Sequence, residues 1–569
     1  MSGPTIPSSE QLHAVKYRQV GETFREAMSR IAHTLSDRHS DFEAIRSILL
    51  PMRFLPAGRV QSDIGSPRRT TAFNCFVSDT IEDSMEGIMK GATDAAFTMR
   101  LGGGIGYDFS TIRPRGDIIV SLDAKSSGPV SFMQIYDAVC KTVSSAGNRR
   151  GAQMGVLRVD HPDIEEFVEA KANTDQLTQF NVSVGVTDEF MEAVKQDAEF
   201  NLVFGHKVFK RVSARYLWDK IMRATWDWAE PGILFIDRIN ERNNLYWCET
   251  ISATNPCGEQ PLPPNGACLL GSFNLVKYLK EGTDDGYTFD WRLFKQDIPI
   301  IHRAMDNIID ATTYPLDKQM EEARGKRRMG LGVTGVANAG EALGHTYGSG
   351  KFLGWLRRVL KTLTNELYRA SAYIAAEKGS YPLYDEDNWS RSYMASMLED
   401  GVIATIREHG LRNSHLTSIA PTGTISFAAD NVSSGIEPVF AHEYERIVKT
   451  EAGDIKMIVE DYGVRELGVR GKTANECTVQ EHLDVLVEAS TWIDSSVSKT
   501  LNVGDDVTWD EFKEIYMSAW ERGCKGATTF RSAGKRYGIL NVIKQEQETE
   551  DYVGGACYID SSTGTKACE

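Results

Sequence analysis

The sequence predicts an α/β fold, in which helices pack against a sheet around one large core. Short strand-like runs, such as residues 180–184, alternate with long helical patterns, such as residues 352–378. Of the 569 residues, 41% are hydrophobic and 25% are charged, which are ordinary values for a globular protein. No run approaches the ~18 consecutive apolar residues that a membrane span requires. We therefore expect a soluble protein without a membrane partner.

The charge balance and the cysteine content narrow the class of protein. The chain has 63 Lys and Arg residues against 79 Asp and Glu residues, a formal charge of -16, so we expect no nucleic-acid partner. The N-terminal residues lack a secretory signal, which indicates a cytoplasmic protein. Nine cysteines without a C-x-x-C pair are too few for a disulfide scaffold, so we expect them to matter through chemistry.

The N-terminal part of the chain predicts a helical layer over residues 1–70. Apolar residues recur at helical spacing over residues 9–35, with Ser9 as the N-cap, and a second helix is predicted over residues 41–52. Proline residues then break the helical pattern, and a buried strand is predicted at residues 73–77.

Two later segments, residues 85–99 and 132–143, have amphipathic helical spacing. They are either two core helices or a helix-helix interface between subunits, and the spacing alone leaves both interpretations open. At the C-terminal end, residues 544–569 are acidic, contain glycine and are poor in apolar side chains. This composition predicts a flexible tail that carries Cys557 and Cys568.

The segment around Cys257 carries the clearest chemical pattern in the chain. Pro256 and Gly258 deny Cys257 a regular helix or strand, so its thiol is predicted on a tight loop, with Asn255 and Glu259 flanking it. A carboxylate close to a substrate hydroxyl can act as a general base, and a thiol can act as a nucleophile or a hydrogen-atom donor. The alternative is a buried loop cysteine whose neighbours have no role.

A hydroxyl-rich turn is a second candidate site. Its glycine allows backbone N–H groups to point toward one spot, and a helix that begins within it would direct its positive end at an anion. On this pattern alone, the turn is either a phosphate-binding loop or an ordinary turn. Its residues are Pro421, Thr422, Gly423, Thr424, Ile425 and Ser426.

Taken together, these segments resemble the catalytic subunit of ribonucleotide reductase over residues 40–569. The NPCGE sequence at residues 255–259 resembles the finger-loop signature of that family. Further matches are FNCFV at 73–77, GGGIGY at 102–107, RMGLGV at 328–333, SGIEP at 434–438 and WIDSSVSKT at 492–500. The resemblance implies a ten-stranded α/β barrel of two antiparallel five-stranded half-sheets over residues 71–543, with a central finger loop that carries Cys257.

The resemblance also implies a role for each residue of the reaction centre. A thiyl radical at Cys257 would remove the ribose 3′-hydrogen, and Glu259 would take the 3′-hydroxyl proton. Asn255 would hold the sugar by hydrogen bonds. Cys75 and Cys268 would supply a proton to the departing 2′-hydroxyl and two reducing equivalents, ending as a disulfide.

Binding of the ribonucleotide and return of electrons follow from the same resemblance. Asn74, Gly103 and Gly104 would contact the substrate together with the turn at 421–426, and diphosphate and triphosphate substrates both stay open. Cys557 and Cys568 would carry electrons from a thioredoxin or glutaredoxin-type reductant to the buried disulfide. Ten residues separate these two cysteines, more than in many relatives, and the alternatives are two free thiols or, less favoured, a zinc site.

The radical source decides the cofactor. Family members that use a separate metallo-radical subunit carry adjacent tyrosines near the C-terminus, whereas this chain has Thr529 and Phe530 there and no Tyr-Tyr pair anywhere. The segment looks like the adenosylcobalamin-dependent class, which predicts adenosylcobalamin as the cofactor, with cobalt inside it and no protein-bound metal. The alternatives are activation by a separate metallo-radical subunit and, outside the enzymes, a nucleotide-binding regulatory homologue.

The resemblance further implies a homodimer in which a dNTP or ATP effector selects the base that is reduced. Asp83, Ser84, Arg113 and Lys125 would contact this effector, although each could equally be a helix cap or a surface charge. A loop with Asn148, Arg149 and Arg150 would relay the identity of the effector to the substrate. The segment before Cys75 is too short for an additional ATP-binding cone, so no overall inhibition by dATP is expected.

Overall fold

The computed structural model describes residues 3–143, 152–172, 176–282, 286–450 and 453–531, with only the backbone for 446–450, for 453–457 and for three short strands beyond residue 540. Five residues of predicted function lie outside the described residues, namely Asn148, Arg149, Arg150, Cys557 and Cys568.

Helices surround the sheet along the whole described chain. In those residues the α-helices are α1 (Pro7–Tyr17), α2 (Phe24–Thr34), α3 (His39–Leu49), α4 (Gly58–Asp63), α5 (Met85–Arg100), α6 (Pro129–Thr142), α7 (Ile164–Glu169), α8 (Asp188–Lys195), α9 (Ala214–Trp228), α10 (Ile236–Glu241), α11 (Trp291–Ala311), α12 (Asp317–Lys326), α13 (Val336–Ala342), α14 (Gly350–Lys378), α15 (Glu386–Trp389), α16 (Tyr393–Met397), α17 (Asp400–His409), α18 (Gly423–Ala428), α19 (Tyr462–Leu467), α20 (Val479–Trp492) and α21 (Trp509–Glu521).

The strands are β1 (Phe54–Pro56), β2 (Cys75–Val77), β3 (Gly104–Asp108), β4 (Ile118–Ile119), β5 (Ala124–Lys125), β6 (Gln153–Arg158), β7 (Phe180–Val186), β8 (Glu199–Phe204), β9 (Lys207–Ser213), β10 (Gly232–Phe235), β11 (Ala253–Thr254), β12 (Pro261–Leu262), β13 (Ala267–Asn274), β14 (Leu279–Glu281), β15 (Tyr287–Phe289), β16 (Met329–Thr334), β17 (Glu443–Thr450), β18 (Gly453–Glu460), β19 (Thr500–Val503), β20 (Gly526–Arg531), β21 (Asn541–Val542), β22 (Tyr558–Ile559) and β23 (Lys566–Ala567).

Ten of these strands form one mixed sheet, which confirms the α/β class. Its order is β1-β13-β2-β3-β6-β7-β10-β20-β19, and β16 pairs with the other edge of β13. The strands β2, β3, β6, β7 and β10 run parallel to one another, whereas β13 runs antiparallel to β2 and β20 antiparallel to β10. Among the described ladders no closed barrel is found, because β16 and β19 remain unpaired with each other.

Burial on both faces explains why the central strands read as apolar runs rather than as alternating patterns. β7 has the sequence FNVSVGV, and all seven of its residues are buried. The strands predicted at residues 73–77 and 180–184 correspond to β2 and β7. β7 contains one amide side chain, Asn181, in this apolar setting.

The N-terminal layer differs in detail from the prediction. The single helix expected over residues 9–35 is two helices, α1 and α2, because Gly21 adopts a positive φ of 79° and Thr23 starts α2 with a capping box to Glu26. The predicted N-cap Ser9 lies inside α1, and its hydroxyl donates to the carbonyl of Phe427. β1 joins the main sheet through β13, so this layer includes a strand of that sheet.

The amphipathic segments form α5 and α6, which pack against each other. Ile88 and Met99 of α5 are buried, whereas Met85, Met89 and Phe97 are 45–61% exposed. α5 therefore has one face in the core and a second apolar face at the surface of this chain. None of the helices in the described part of the chain is long and apolar enough to cross a membrane.

Candidate functional site

The predicted reaction centre is a hairpin loop that projects from β11 and β12. These two strands pair antiparallel, and residues 255–260 connect them. The N–H of Gly258 donates to the carbonyl of Asn255 over 3.1 Å, with Gly258 at a φ of 84°, which closes the tight turn. Cys257 lies in this turn and is partly exposed.

Glycines of β3 allow this hairpin to lie directly against the sheet. A Cβ atom on Gly106 would lie 1.8 Å from the carbonyl oxygen of Thr254, and one on Gly104 would lie 3.2 Å from Cγ of Pro256. From the other side, the Asn181 side chain on β7 donates to the carbonyl of Pro256 over 2.8 Å. The loop is therefore held between two strands of the sheet.

Cys75 and Cys268 are opposite one another in the antiparallel ladder of β2 and β13. Directly opposed residues of such a ladder have Cα atoms about 4.5–5.5 Å apart, within the range of about 4.4–6.8 Å that disulfides span. Both side chains are buried, and both thiols are free in this structure. This register allows a disulfide to form with little movement of the backbone.

The hairpin brings Asn255 and Glu259 to the same cysteine. Nδ2 of Asn255 lies 3.2 Å from Sγ of Cys75, and Oε1 of Glu259 lies 3.8 Å from that sulfur. Oδ1 of Asn255 accepts from the N–H groups of Gly258 and Gln260, over 3.1 and 2.9 Å. Asn255 thus ties the shape of the loop to the position of the thiol.

Glu259 has the electrostatics of a proton acceptor that works near neutral pH. Its side chain is fully buried, and burial raises its pKa to about 7. Oε2 of Glu259 has no hydrogen-bond partner. A buried oxygen without a partner is costly, so this atom is a natural acceptor for a bound hydroxyl group.

The two paired thiols are held in the protonated form. Burial raises the pKa of Cys75 and of Cys268 well above the ordinary value for a thiol. Glu259 adds to the rise at Cys75, whereas the guanidinium of Arg328 opposes it at Cys268. Both cysteines can therefore donate protons, and the charge with the largest effect on the pKa is negative at Cys75 and positive at Cys268.

The hydroxyl-rich turn is linked to the hairpin through one short segment. Ser418 Oγ donates to the carbonyl of Glu259 over 3.0 Å, and Pro421 follows three residues later. Thr422 adopts a positive φ of 55° as the N-cap of α18, and its hydroxyl accepts from the N–H of Gly435 over 2.7 Å. Ser426 Oγ contacts Ser434 Oγ at 2.9 Å.

The other predicted substrate residues lie between the hairpin and β2. The N–H groups of Gly103 and Gly104 donate to the carbonyls of Thr98 and Asn74, so these amides have partners within the protein. Oδ1 of Asn74 is buried without a hydrogen-bond partner. A contact from Asn74 to a substrate stays a prediction, as do those from the two glycines and the 421–426 turn.

The predicted effector residues cluster at the start of α5. Asp83 forms an ion pair with Arg113 over 2.8 Å, and Ser84 caps α5 by accepting from the N–H of Gly87. Arg113 also donates to the carbonyl of Ile118, which pairs with Lys125 across the β4 and β5 hairpin. The structure therefore groups these four residues, although the cap and the ion pair are also what an ordinary helix start would contain.

Two residues that hold the hairpin were absent from the sequence prediction. Asn181 supports Pro256, and Ser418 supports Glu259. An amide within the apolar FNVSVGV strand was a usable signal, because buried polar groups need partners. Ser418 carries no comparable signal in the sequence.

Among the described residues, no cluster of His, Cys, Asp and Glu side chains could hold a metal ion.

Comparisons with known proteins fit this arrangement. Residues 73–530 match the protein family described as "Ribonucleotide reductase, barrel domain". A "Vitamin B12-dependent ribonucleoside-diphosphate reductase" of Thermoplasma acidophilum is 33% identical, covering 93% of this chain and 70% of the relative. A protein of the same description from Mycobacterium tuberculosis is 35% identical, covering 88% and 73%. A "Vitamin B12-dependent ribonucleotide reductase" of Streptomyces clavuligerus is 27% identical, covering 94% and 64%.

Proposed function

We propose that this chain, which belongs to the ribonucleotide reductase family, reduces ribonucleotides to 2′-deoxyribonucleotides. One observation carries the proposal: the hairpin that carries Cys257 at its partly exposed turn brings Asn255 and Glu259 to Cys75 of the buried Cys75 and Cys268 pair. The relatives described as diphosphate reductases make a ribonucleoside diphosphate the first substrate to test.

Each residue then has a step that its environment suits. Cys257 as a thiyl radical takes the 3′-hydrogen, while Oε2 of Glu259 accepts the 3′-hydroxyl proton. Asn255 orients the sugar beside Cys75. The thiol of Cys75 protonates the 2′-hydroxyl, which leaves as water, and the hydrogen of the Cys268 thiol goes to C2′. The two sulfurs join in a disulfide as the pair delivers two electrons to the sugar, and Glu259 returns the proton to the 3′-oxygen. Cys257 finally returns hydrogen to C3′.

Adenosylcobalamin is the proposed cofactor, as the descriptions of the relatives indicate. When bound, it supplies a cobalt-carbon bond that breaks to give a radical. Cys257 would face the cofactor from an open turn, because Cys257 is partly exposed and nothing lies within 4 Å of a Cβ built on Gly258. Thr529 and Phe530 do not supply the tyrosine pair that a separate metallo-radical subunit would require.

Substrate phosphates are proposed to bind at the 421–426 turn. The turn starts α18, whose first N–H groups have no acceptor within the helix, and it connects to the hairpin through Ser418. Asn74, Gly103 and Gly104 are proposed to contact the rest of the substrate. The unpartnered oxygen of Asn74 supports its part of this assignment.

A homodimer with an effector site at α5 is also proposed. The exposed Met85, Met89 and Phe97 form an apolar surface that a second copy could cover, next to the Asp83 and Arg113 ion pair. A dNTP or ATP bound there would act on the substrate through the segment with Asn148, Arg149 and Arg150.

The proposed architecture is a helical layer at 1–70, a catalytic barrel at 71–543 and a redox tail at 544–569. Single parallel bridges join Leu331 to Thr417 and Ile419 to Val497, between the two ends of the sheet, and support closure of the barrel. Cys557 and Cys568 are proposed to pass electrons from a thioredoxin or glutaredoxin-type protein to the internal disulfide.

The test is a defined mixture of purified chain, a ribonucleoside diphosphate, dithiothreitol and adenosylcobalamin, with no second protein. Deoxynucleotide formation is the expected result, and the matched control is the same mixture with Cys257→Ser chain. Product that appears only after a metallo-radical subunit is added would overturn the cofactor assignment. No product under either condition, with nucleotide binding retained, would indicate a regulatory homologue.

Cys557→Ser should spare turnover with dithiothreitol and impair turnover with thioredoxin.

A further inference from the structure

Four residues stand side by side across three pairings of the main sheet. Gly104 of β3 pairs with Cys75 of β2, and Cys75 pairs with Cys268 of β13. On the far side, Leu269 pairs with Met329 at the start of β16, so Arg328 lies next to Cys268 when this parallel register is extended by one residue. Aligned residues of neighbouring strands point to the same face of a sheet. The cysteine pair therefore has a bare glycine on one side and an arginine on the other.

Arg328 is held in place by a buried set of charges. It pairs with Glu249, its Nε lies 3.4 Å from Nδ1 of His415, and Glu322 lies 3.6 Å from its Nη1. Only 1% of its side chain is exposed, and Nη1 has no hydrogen-bond partner. Removal of a guanidinium from water is costly, and the carboxylates of Glu249 and Glu322 offset this cost beside the cysteine pair.

The charges around the two sulfurs differ. Arg328 has the largest single charge effect on Cys268 and favours its thiolate, whereas Asp494, Glu259 and Glu322 each act in the opposite direction. Cys75, by contrast, lies beside Glu259, which disfavours negative charge there. The pair is thus electrically asymmetric.

We propose that Arg328 makes Cys268 the leaving thiolate when the Cys75–Cys268 disulfide is reduced, so that the incoming thiol attacks Cys75. The inference rests on the proposed function for its biological setting. Arg328 is a positioning residue in this step, because it acts through Cys268 and touches no substrate.

Geometry and electronics favour the same direction of attack. Displacement at sulfur needs the attacking sulfur in line with the bond that breaks. An attack on Cys268 would come from the side that Arg328 fills with a buried, ion-paired side chain. An attack on Cys75 comes from the side of Gly104, which contributes no side chain and over which Pro256 of the hairpin lies. The leaving sulfur departs faster when its thiolate is stabilised, and Arg328 provides this stabilisation at Cys268.

The exchange balances without any further reagent. A thiolate bonds to Sγ of Cys75, the sulfur-sulfur bond breaks, and its electron pair remains on Sγ of Cys268, which then takes a proton. A second thiolate attacks the outer sulfur of the mixed disulfide and releases Cys75. Two thiols are thereby oxidised to one disulfide, and two cysteines of the barrel are reduced.

The test traps the first step of this exchange and needs neither nucleotide nor cobalamin. A chain with Cys557→Ser and Cys568→Ser is oxidised with diamide, and peptide mapping verifies the Cys75–Cys268 bond. Limiting 2-mercaptoethanol is added, iodoacetamide stops the reaction, and mass spectrometry locates the mercaptoethanol adduct. We expect at least about tenfold more adduct on Cys75 than on Cys268, with Cys268 alkylated.

Matched variants distinguish the effect of the Arg328 charge from an effect on folding. Arg328→Lys should keep the preference for Cys75. Arg328→Gln combined with Glu249→Gln, which leaves no unpaired carboxylate at Glu249, should slow the first exchange about tenfold and weaken the preference. Glu322→Gln, which removes an opposing charge, should accelerate the exchange, and it stands as the test if the double variant fails to fold.

Four results would each overturn the proposal: adduct mainly on Cys268, an unchanged preference in the double variant, an unchanged rate in Glu322→Gln, or no Cys75–Cys268 disulfide after oxidation. Failure of deoxynucleotide synthesis would instead count against the proposed function, since this exchange contains no nucleotide.

Discussion

Two buried carboxylates of this protein, Asp306 and Glu259, have opposite surroundings. Asp306 is fully buried, and both of its oxygens accept hydrogen bonds, from Arg327 and Asn413 at Oδ1 and from Arg412 at Oδ2, over 2.9–3.1 Å. Glu259 is equally buried, yet one of its oxygens lies 3.8 Å from the sulfur of Cys75 and its second oxygen has no hydrogen-bond partner.

The difference in surroundings reverses the effect of burial on the pKa. Burial raises the pKa of both carboxyl groups, but at Asp306 the charges of Arg327 and Arg412 hold the pKa below its ordinary value. At Glu259 no cation opposes burial, and the pKa rises to about 7. A carboxylate with every partner in place serves stability, whereas one without partners is ready to receive them from a substrate.

The sharpest test of the contrast is Cys257→Ser, beside Glu259. We expect turnover to fall by more than about 10⁴-fold, because the oxygen-hydrogen bond of serine is too strong to be broken and reformed as the thiol bond is. The unfolding free energy should change by less than about 1 kcal/mol, since the site is a partly exposed turn. Initial rates and denaturant unfolding measure the two quantities. Cys248→Ser, at an exposed thiol, is the control.

Glu259→Gln should reduce turnover by about 10²–10⁴-fold, the usual contribution of a general base. In the unchanged chain, the rate of the chemical step should rise with pH through about 7 as Glu259 loses its proton, and this rise should be absent in the variant.

The same substitution has a predicted effect on stability. The folded pKa of Glu259 lies above its unfolded value, so its contribution to stability is complete below the unfolded pKa and is lost as pH rises toward about 7. Glu259→Gln should therefore be more stable than the unchanged chain above neutral pH, by up to about 3 kcal/mol. Lower stability of the variant at pH 8 in denaturant titrations would contradict the buried, unpartnered state of this carboxylate.

Asp306→Ala should show the opposite profile. Loss of one member of a buried ion-pair network leaves Arg327 and Arg412 without their shared partner, which should cost about 3–5 kcal/mol of unfolding free energy. Turnover per folded chain should stay within about twofold, since the hydrogen bonds of Asp306 run to Arg327, Arg412 and Asn413 and not to the reacting groups. A large loss of kcat in fully folded variant would remove the distinction between the two clusters.

Asn181→Ala should have modest effects on both stability and turnover. It removes the hydrogen bond to the carbonyl of Pro256, at a cost of about 1–2 kcal/mol in stability, and loosens the hairpin enough to lower kcat by about tenfold. KM for the nucleotide should change less than kcat, because the bond positions the loop rather than the substrate. Asn201→Ala, at an exposed amide, is the matched control.

Local sequence patterns predicted those features that local interactions determine, such as a buried strand and a tight turn. The apolar FNVSVGV run predicted β7 because a strand buried on both faces needs little else, and proline with glycine predicted the turn at Cys257. The break between α1 and α2 was missed because Gly21 and the Thr23 cap weigh more than the continuing apolar spacing.

The relative positions of residues that are far apart in the sequence could not be predicted in this way. Nothing in the spacing of Cys75 and Cys268 reveals that they face each other across two strands, and only the family resemblance suggested it. Arg328 was part of a matching motif, but its place beside Cys268 depends on the register of β13 and β16. Register follows from the packing of the whole sheet, which a single sequence does not display.

Gly106 is a position at which the reaction centre leaves no space for a side chain. Any side chain there would collide with the backbone at Thr254 and displace the hairpin as a unit, carrying Asn255 and Glu259 away from Cys75. A single-nucleotide change from a glycine to an alanine codon at this position would therefore inactivate the protein, although every reacting residue would still be present.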